Sequence, residues 1–264
     1  MTTIAIINQK GGTGKTTTAV NLGAGLAHKG YRTLLVDLDP QAHATYGLGI
    51  DLDELNGETP TIANVLSEDR GRIADILLDT REPNLKLAPS DIHLARAAAL
   101  LHTRNFREHM LERALASVKH EFAYTIIDCQ PSLDVLSINA LVAADKLIIP
   151  TELAGHALRG LADLLTTITS IKNETPGFDY RVLLTKVSGQ AVNRQQKAGK
   201  VLDSIQDRIL QTQIRRVEAI ERSQLEPEED EDAELTPVIM QKTWNKGARD
   251  YRKLVKEIIE LWPA

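Results

Sequence analysis

A glycine-rich segment near the N-terminus limits the possible folds of this chain more than any other feature. Residues 8–18 read N-Q-K-G-G-T-G-K-T-T-T, between an apolar, strand-like run and a helical pattern. A strand, a glycine turn and a helix in this order form a phosphate-binding loop, because the backbone N–H groups and the helix N-terminus face phosphate oxygens. We predict that the nucleotide is bound by Lys10, Gly11, Gly12, Thr13, Gly14, Lys15, Thr16 and Thr17.

The spacing of this loop departs from the usual pattern G-x-x-x-x-G-K-[S/T]. Gln9 stands where the pattern has its first glycine, and a second lysine, Lys10, opens the loop. In loops of this kind Lys15 lies along the β- and γ-phosphates, and the Thr16 hydroxyl ligates Mg²⁺. A glycine-rich turn with two surface lysines is the alternative, which the strand–loop–helix context disfavours.

Three aspartates follow apolar runs elsewhere in the chain. Asp37 and Asp39 lie in L-L-V-D-L-D-P-Q over residues 34–41, and Asp128 lies in T-I-I-D-C over 125–129. Ligands of open parallel sheets bind beyond the carboxyl ends of the strands, so we expect these acids to face the phosphate loop. Hydrolysis needs a carboxylate near Mg²⁺ and a group that positions water, whereas the alternative is that the acids cap turns.

Short apolar runs alternate with helical patterns along the chain. The predicted strands are 3–8, 33–37, 85–89, 125–128, 146–150 and 181–185, and the predicted helices are 16–29, 105–120, 135–143, 158–172 and 249–261. Continuous apolar runs are typical of parallel strands that are buried on both faces. We therefore predict an α/β fold: a doubly wound, mostly parallel sheet with helices on both faces, in a single domain over 1–264.

The charge is unevenly distributed along the chain. Residues 226–234 hold seven acids and no base, and without them the formal net charge of -5 becomes +2. Residues 181–222 and 242–256 each carry a local charge of +5. We predict that the acidic insert at 226–234 is a solvated loop, and that the basic surface around it binds a polyanion.

Other composition features indicate the cytoplasm. The first residues lack the pattern of a signal peptide, and no apolar run approaches the roughly 20 residues of a membrane span. The single cysteine, Cys129, excludes an internal disulfide, and we expect it to be a buried packing residue. The seven histidines lack metal-ligand spacing.

The loop K-G-G-T-G-K-T-T resembles the signature of the ParA/MinD group of deviant Walker-A P-loop ATPases. The segments V-D-L-D-P-Q, D-C-Q-P-S-L, S-I-N-A-L and D-K-L-I-I-P are also similar to that group, as are L-L-T at 183–185 and K-G-A at 246–248. The resemblance covers 3–187 well, 188–223 loosely, and 242–261 again. It identifies the chain as a ParA-family partition or positioning ATPase, in the short form without an N-terminal DNA-reading domain.

The resemblance implies an ATP-sandwich homodimer with ATP and Mg²⁺ as cofactors. Lys10 would reach the partner's nucleotide, and Lys15 would contact the nucleotide of its own chain. Asp39 would orient the attacking water, Asp37 would lie near the Mg²⁺ shell, and Asp128 would hold Mg²⁺ through water. Lys10, Lys15 and Asp39 are thus the expected catalytic residues of a weak, partner-stimulated ATP hydrolase.

Two details of the sequence differ from the family pattern. The family commonly has D-C-P-P-S-L, whereas Gln130 replaces the first proline here, which leaves the backbone of the second switch less constrained. Residues 212–216 align with the family's nucleotide-base loop, where Arg215 stands in place of the usual proline.

The resemblance also implies binding to double-stranded DNA of any sequence, through phosphate neutralisation. Arg216 falls where the family's DNA-contacting arginine lies. The other candidates are Arg215, Arg194, Lys197, Lys200 and Lys246. We expect nucleoid association, a ParB-like or cargo adaptor as partner, and a plasmid, chromosome origin or protein assembly as cargo; a solvated charged face is the alternative.

Two other functions have the same fold. A MinD-like membrane ATPase for division-site placement needs a membrane-surface tail, whereas the helix predicted at 249–261 is expected to cover the sheet and the chain stops at Ala264. Membrane binding is therefore disfavoured. A metal-cluster carrier related to nitrogenase reductase needs paired cysteines, and one cysteine per chain is too few.

Overall fold

The structure is a computed structural model that describes residues 1–52, 59–153, 155–172, 178–188, 205–217, 237–240 and 245–264. The strands are β1 Thr2–Ile6, β2 Thr33–Leu38, β3 Leu78–Asp79, β4 Leu85–Ala88, β5 Tyr124–Cys129, β6 Lys146–Glu152, β7 Asp179–Val187 and β8 Ile209–Arg215. They form one sheet in the order β3-β4-β2-β5-β1-β6-β7-β8. All neighbouring strands are parallel except β3 and β4.

Helices connect the strands in the order expected for parallel crossovers. They are α1 Lys15–His28, α2 His43–Gly47, α3 Ile62–Ser67, α4 His93–Leu101, α5 Met110–Leu115, α6 Val135–Ala143, α7 Gly155–Lys172 and α8 Lys246–Leu261. Short 3₁₀ turns lie at Ile73–Ile76, Arg107–His109, Ala116–Val118, Gln206–Arg208 and Val238–Met240. No helix of the described residues is long and apolar enough to cross a membrane.

Two hydrophobic clusters cover the two faces of the sheet. In β1, Ile4 and Ile6 pack with α1 and α8, whereas Ala5 and the next residue after the strand, Ile7, belong to the cluster that includes α3 to α7. Because successive side chains point to opposite faces, an apolar residue is needed at every position. The predicted doubly wound α/β sheet is confirmed, and so are all six predicted strands.

One predicted loop is in fact a strand. Residues 212–215, predicted as part of a nucleotide-base loop, belong to β8 at the edge of the sheet. Along the sequence I-L-Q-T-Q-I-R of this strand, buried residues alternate with more exposed ones. This alternation is typical of a half-buried strand rather than of a loop. The two-residue β3 also carries no sequence signal that we recognised.

The helix predicted at 105–120 is broken into α5 and two 3₁₀ turns. Asn139 of α6 causes part of this break, because its Oδ1 accepts from Leu111 N at 3.0 Å and its Nδ2 donates to Arg107 O at 2.8 Å. Phe106 precedes the turn with a left-handed φ of 55°. The helix predicted at 135–143 matches α6 residue for residue, and the acidic insert at 226–234 lies outside the described residues.

The contact between α1 and α8 generates a stability prediction at Gly25. A methyl group there would overlap Val255 Cγ2 and lie 2.6 Å from Ile239 Cδ1. We expect Gly25→Ala to lower the free energy of unfolding by about 1–3 kcal/mol through overpacking, measured by urea denaturation. Gly23→Ala is the matched control, since its methyl would lie 3.6 Å from Leu85 Cδ1, and it should be neutral or stabilising. Equal effects of the two substitutions would contradict this packing.

Candidate nucleotide site and basic groove

The phosphate loop connects the end of β1 to the start of α1. Gly12 and Gly14 have φ values of 71° and 88°, in the left-handed region that glycine tolerates, and Gly14 is the residue before α1. The Thr185 hydroxyl at the end of β7 donates to Thr13 O at 2.8 Å. A strand two places away in the sheet therefore holds the loop in position.

Asn8 attaches the start of the loop to β6. Its Nδ2 donates to Pro150 O at 2.7 Å, and its Oδ1 accepts from Lys10 N at 3.0 Å. Both bonds are made by a buried side chain. Sequence reasoning placed Asn8 in the strand and missed this anchoring role.

The two lysines of the loop point in different directions. Lys15 is only 7% exposed, and its Nζ donates to Lys10 O at 3.2 Å. Burial lowers the pKa of Lys15, while the negative charges of Asp128 and Asp39 oppose this shift. The Lys10 side chain is 46% exposed, and its Nζ lies 4.0 Å from Glu152 Oε2. Lys15 thus faces the inside of the site, and Lys10 faces the surface.

The strand register brings the predicted aspartates together beside the loop. Asp128 of β5 is paired with Asp37 of β2 on one side and with Ile6 of β1 on the other. Asp39, only 6% exposed, follows directly after β2, and its Oδ1 accepts from Gln41 N at 3.0 Å. Three carboxylates therefore converge at the carboxyl ends of adjacent strands, as the sequence predicted.

Asp37 is engaged by groups of its own chain. Its Oδ2 accepts from the Thr45 N–H and hydroxyl, both at 2.8 Å, and its Oδ1 accepts from Asp39 N at 3.2 Å. Burial raises the pKa of Asp37 to about 6, although these hydrogen bonds favour the ionised form. The three donors make Asp37 suited to fixing the segment that carries Asp39.

Asp128 has a different environment, although it is equally buried. Within the described residues neither of its carboxylate oxygens has a partner that satisfies hydrogen-bond geometry. Burial raises the pKa of Asp128 well above its usual value and the charge of Asp37 adds to this rise, while Thr16 and Lys15 oppose it. A buried carboxylate whose oxygens lack hydrogen bonds of good geometry is costly, and a bound cation would compensate it.

These residues fit Mg²⁺ bound together with a nucleotide. Mg²⁺ takes one or two protein oxygens and completes its shell with phosphates and water, and here the Thr16 hydroxyl and the Asp128 carboxylate are the candidates. Among the described residues no three His, Cys, Asp or Glu side chains form a metal site by themselves. Cys129, buried and next to Asp128, is the packing residue that the sequence indicated.

Gln130, where the family pattern has proline, is tied by its side chain. Its Nε2 donates to Oδ2 of Asp134, whose Oδ1 accepts from Leu136 N and Ser137 N at the start of α6. The segment after Asp128 is therefore connected to the α6 cap by a hydrogen bond that a proline could not make.

A second feature is an open groove of about 1130 Å³ between β8 and α8. Its lining includes Arg216 and Lys246 from the predicted DNA set, whereas Arg194, Lys197 and Lys200 lie outside the described residues. Sequence reasoning missed three further cations of α8 that line it: Arg249, Lys253 and Lys256. These residues follow Lys246 by three, seven and ten positions, and this helical spacing is the sequence signal that places all four cations on one helix face.

Arg215 also lines the groove, but its guanidinium is bound to Asp250. Nε donates to Asp250 Oδ2 at 2.9 Å and Nη2 donates to Oδ1 at 2.7 Å. The Asp250 side chain is only 5% exposed, so this two-pronged ion pair also satisfies a buried charge. A role of Arg215 toward adenine or DNA remains a prediction.

The fold and the glycine loop define a P-loop ATPase, and comparison with known proteins agrees. The profile of the AAA-domain family AAA_31 matches residues 1–179. The sporulation initiation inhibitor protein Soj of Bacillus subtilis is 39% identical over 257 residues, covering 97% of either chain. The chromosome partitioning protein ParA of Caulobacter vibrioides is 33% identical over 272 residues, covering 97% of this chain and 93% of its own. The chain belongs to the ParA/Soj family of partition ATPases.

A similar solved structure is that of cobyrinic acid a,c-diamide synthase from Mycobacterium smegmatis with a bound ATP analogue and magnesium. It is 33% identical, with a TM-score of 0.79, and the match covers 100% of this chain and 96% of that one. A nucleotide and magnesium thus occupy a protein with this fold.

The unpartnered Asp128 generates a prediction about stability. In the absence of Mg²⁺ and nucleotide, Asp128→Asn should stabilise the protein at pH 8 by about 1 kcal/mol or more, because a buried charge is removed. A carboxyl whose pKa is raised on folding contributes stability below its unfolded pKa, about 4, and loses it as pH rises. The gain should therefore be smaller at pH 5 than at pH 8, measured by thermal unfolding in EDTA.

The control for this experiment is Asp75→Asn. The Asp75 side chain is 63% exposed and lies 4.0 Å from Arg72, so its removal should change the melting temperature little at either pH. A loss of stability in Asp128→Asn at pH 8 would show that this carboxylate already has a partner.

Proposed function

We propose that this chain is a DNA-associated positioning ATPase. It binds ATP and Mg²⁺, dimerises around two nucleotides, binds double-stranded DNA of any sequence, and hydrolyses ATP slowly unless a ParB-like or cargo adaptor stimulates it. The observation that carries the proposal is the opposite orientation of the buried Lys15 and the exposed Lys10. The similarity to the sporulation initiation inhibitor protein Soj and to the chromosome partitioning protein ParA supports the same function.

The residues of the site perform separate tasks in this proposal. The loop N–H groups and Lys15 bind the phosphates, and Thr16 and Asp128 hold Mg²⁺, which neutralises phosphate charge when bound. Asp39 orients the attacking water, and Asp37 keeps Asp39 in place because its Oδ1 accepts a hydrogen bond from the backbone N–H of Asp39. Lys10 leaves Glu152 and contacts the nucleotide of a second copy.

The basic groove is the proposed DNA surface. Its cations are suited to a phosphate backbone, which carries no base information: Arg216, which follows β8 directly, and the α8 row of Lys246, Arg249, Lys253 and Lys256.

The burial of the apolar face of α8 argues against a membrane role for this helix. Its apolar residues Tyr251, Leu254, Val255 and Ile258 are buried against the sheet and α1, so they are not available to lipid.

The lysine assignment predicts two different defects. Lys15→Ala should abolish nucleotide binding, because the buried ammonium beside the loop is lost. Lys10→Ala should bind ATP but fail to dimerise with a slowly hydrolysed analogue, measured by titration of a fluorescent nucleotide and by size-exclusion chromatography with light scattering. A dimer of normal affinity in Lys10→Ala would exclude a cross-interface role.

The DNA assignment predicts an ATP-dependent and salt-dependent affinity. Asp39→Ala should bind ATP without hydrolysing it, and this trapped form should bind two unrelated duplexes equally, whereas the ADP form binds poorly because a monomer offers half the phosphate contacts. Arg216→Ala and Lys253→Ala should weaken binding to both duplexes and reduce the log–log salt slope by about 0.9 each. Fluorescence anisotropy across a salt series measures this.

The matched control is Arg72→Ala, which removes one exposed cation near the other edge of the sheet. It should leave DNA affinity unchanged. DNA binding that is equal with ATP and with ADP, or binding to liposomes instead of DNA, would contradict the DNA assignment and favour the MinD-like alternative.

A further inference from the structure

Glu152, the last residue of β6, lies between two lysines beside the phosphate loop. Its Oε1 is 3.4 Å from Lys186 Nζ, and its Oε2 is 4.0 Å from Lys10 Nζ. The Lys186 side chain is 45% exposed, nearly the same as that of Lys10. One carboxylate thus serves as counter-ion for two cations. The function proposed above uses Glu152 only as the resting partner of Lys10, and it gives Lys186 no role.

The backbone of Lys186 is in an unusual conformation. Its φ is 51°, in the left-handed region where residues other than glycine are uncommon and strained. Lys186 lies in β7 directly after Thr185, whose hydroxyl holds the Thr13 carbonyl of the loop. Strain of this kind persists only where the surroundings impose it, and it is concentrated at functional sites.

The ammonium group of Lys186 lies close to the loop itself. A Cβ built on Gly12 would be 3.9 Å from Lys186 Nζ, so the ammonium lies close to a glycine of the loop whose N–H groups are expected to face phosphate. Lys15 approaches the same loop from the buried side. The loop therefore has a cation of its own chain on the outer side as well as on the inner side.

We propose that Lys186 is a third phosphate-binding cation of the nucleotide site, and that Glu152 is the counter-ion that holds Lys186 and Lys10 until a nucleotide enters. This inference rests on the proposed ATP site. A half-exposed ion pair is weak, whereas a triphosphate offers several charges and strong acceptors to the same ammonium. The flexible stem of a lysine lets its head group move from carboxylate to phosphate without movement of the strand.

The consequence for specificity concerns the number of phosphates. A cation over the outer side of the loop gains more from ATP than from ADP, because the triphosphate carries the larger charge. Lys186 would thus help the site to discriminate between the two nucleotides before any second copy binds. Lys10 would then be released from Glu152 as the phosphate charge accumulates.

The experiment is a titration of the 264-residue chain with fluorescent N-methylanthraniloyl ATP and ADP in the presence of Mg²⁺. Lys186→Gly removes the charge and also the left-handed strain, so the variant is expected to fold at least as stably as the parent. It should bind ATP roughly tenfold more weakly and ADP with a smaller loss. Lys186→Arg should retain most of the affinity, since the charge is kept.

The control is Lys86→Met, which removes a partly exposed lysine that is ion-paired with Asp79 near the opposite edge of the sheet. It should change neither affinity. Glu152→Gln tests the counter-ion role, and it should tighten ATP binding by about threefold, because the competing carboxylate charge is lost. Weaker ATP binding in Glu152→Gln would overturn the counter-ion role.

Lys15→Ala separates a failure of this inference from a failure of the proposed function. If Lys15→Ala loses nucleotide binding while Lys186→Gly binds ATP and ADP like the parent, Lys186 is only a surface ion pair and the ATP site stands. If Lys15→Ala itself binds ATP normally, the proposed ATP site is wrong, and the role of Lys186 fails with it.

Discussion

The parallel register of β2, β5 and β1 determines where the chemistry of this protein can occur. It places Asp37 beside Asp128 and Asp128 beside the end of β1, from which the glycine loop departs. Hydrogen bonds from Asn8 and Thr185 then attach the loop to β6 and β7. The site thus depends on five neighbouring strands, so a change in register among them would separate the phosphate loop from the carboxylates.

The two buried aspartates, Asp37 and Asp128, differ in role: one stabilises the fold and the other is suited to binding a cation. Asp37 has three hydrogen-bond donors and behaves as a structural group, because its carboxylate fixes the backbone of Asp39 and Thr45. Asp128 has no such partners among the described residues and therefore costs stability until a cation compensates it. A folded protein with such an uncompensated buried charge gains stability from its ligand, because a ligand that binds only the folded state also stabilises that state.

Sequence patterns predicted the sheet, the loop and the converging aspartates, because each of these depends on local apolar runs and on the carboxyl ends of strands. They failed where a distant partner decides the structure. The helix at 105–120 is broken in part by Asn139, which lies in α6. At β8 the alignment with the family's nucleotide-base loop gave the wrong prediction, although the alternating residues of this segment are typical of a half-buried strand. The pairing of Glu152 with Lys10 and Lys186 likewise joins residues that are far apart in the sequence.

The packing of α8 on β8 connects the stability of the sheet edge to the proposed DNA surface. Glu257 accepts from Gln211 N at 2.7 Å and from Thr212 N at 2.9 Å, and Asp250 accepts from Arg215 N at 3.1 Å. These bonds satisfy N–H groups of an edge strand that would otherwise be open to another chain. Three acids of α8 line the groove together with the cations: Asp250, Glu257 and Glu260. Because Asp250 and Glu257 are bonded to β8 and Glu260 lies 3.7 Å from Lys256, the remaining cations give the groove its positive charge, and a fold requirement thereby leaves a basic surface.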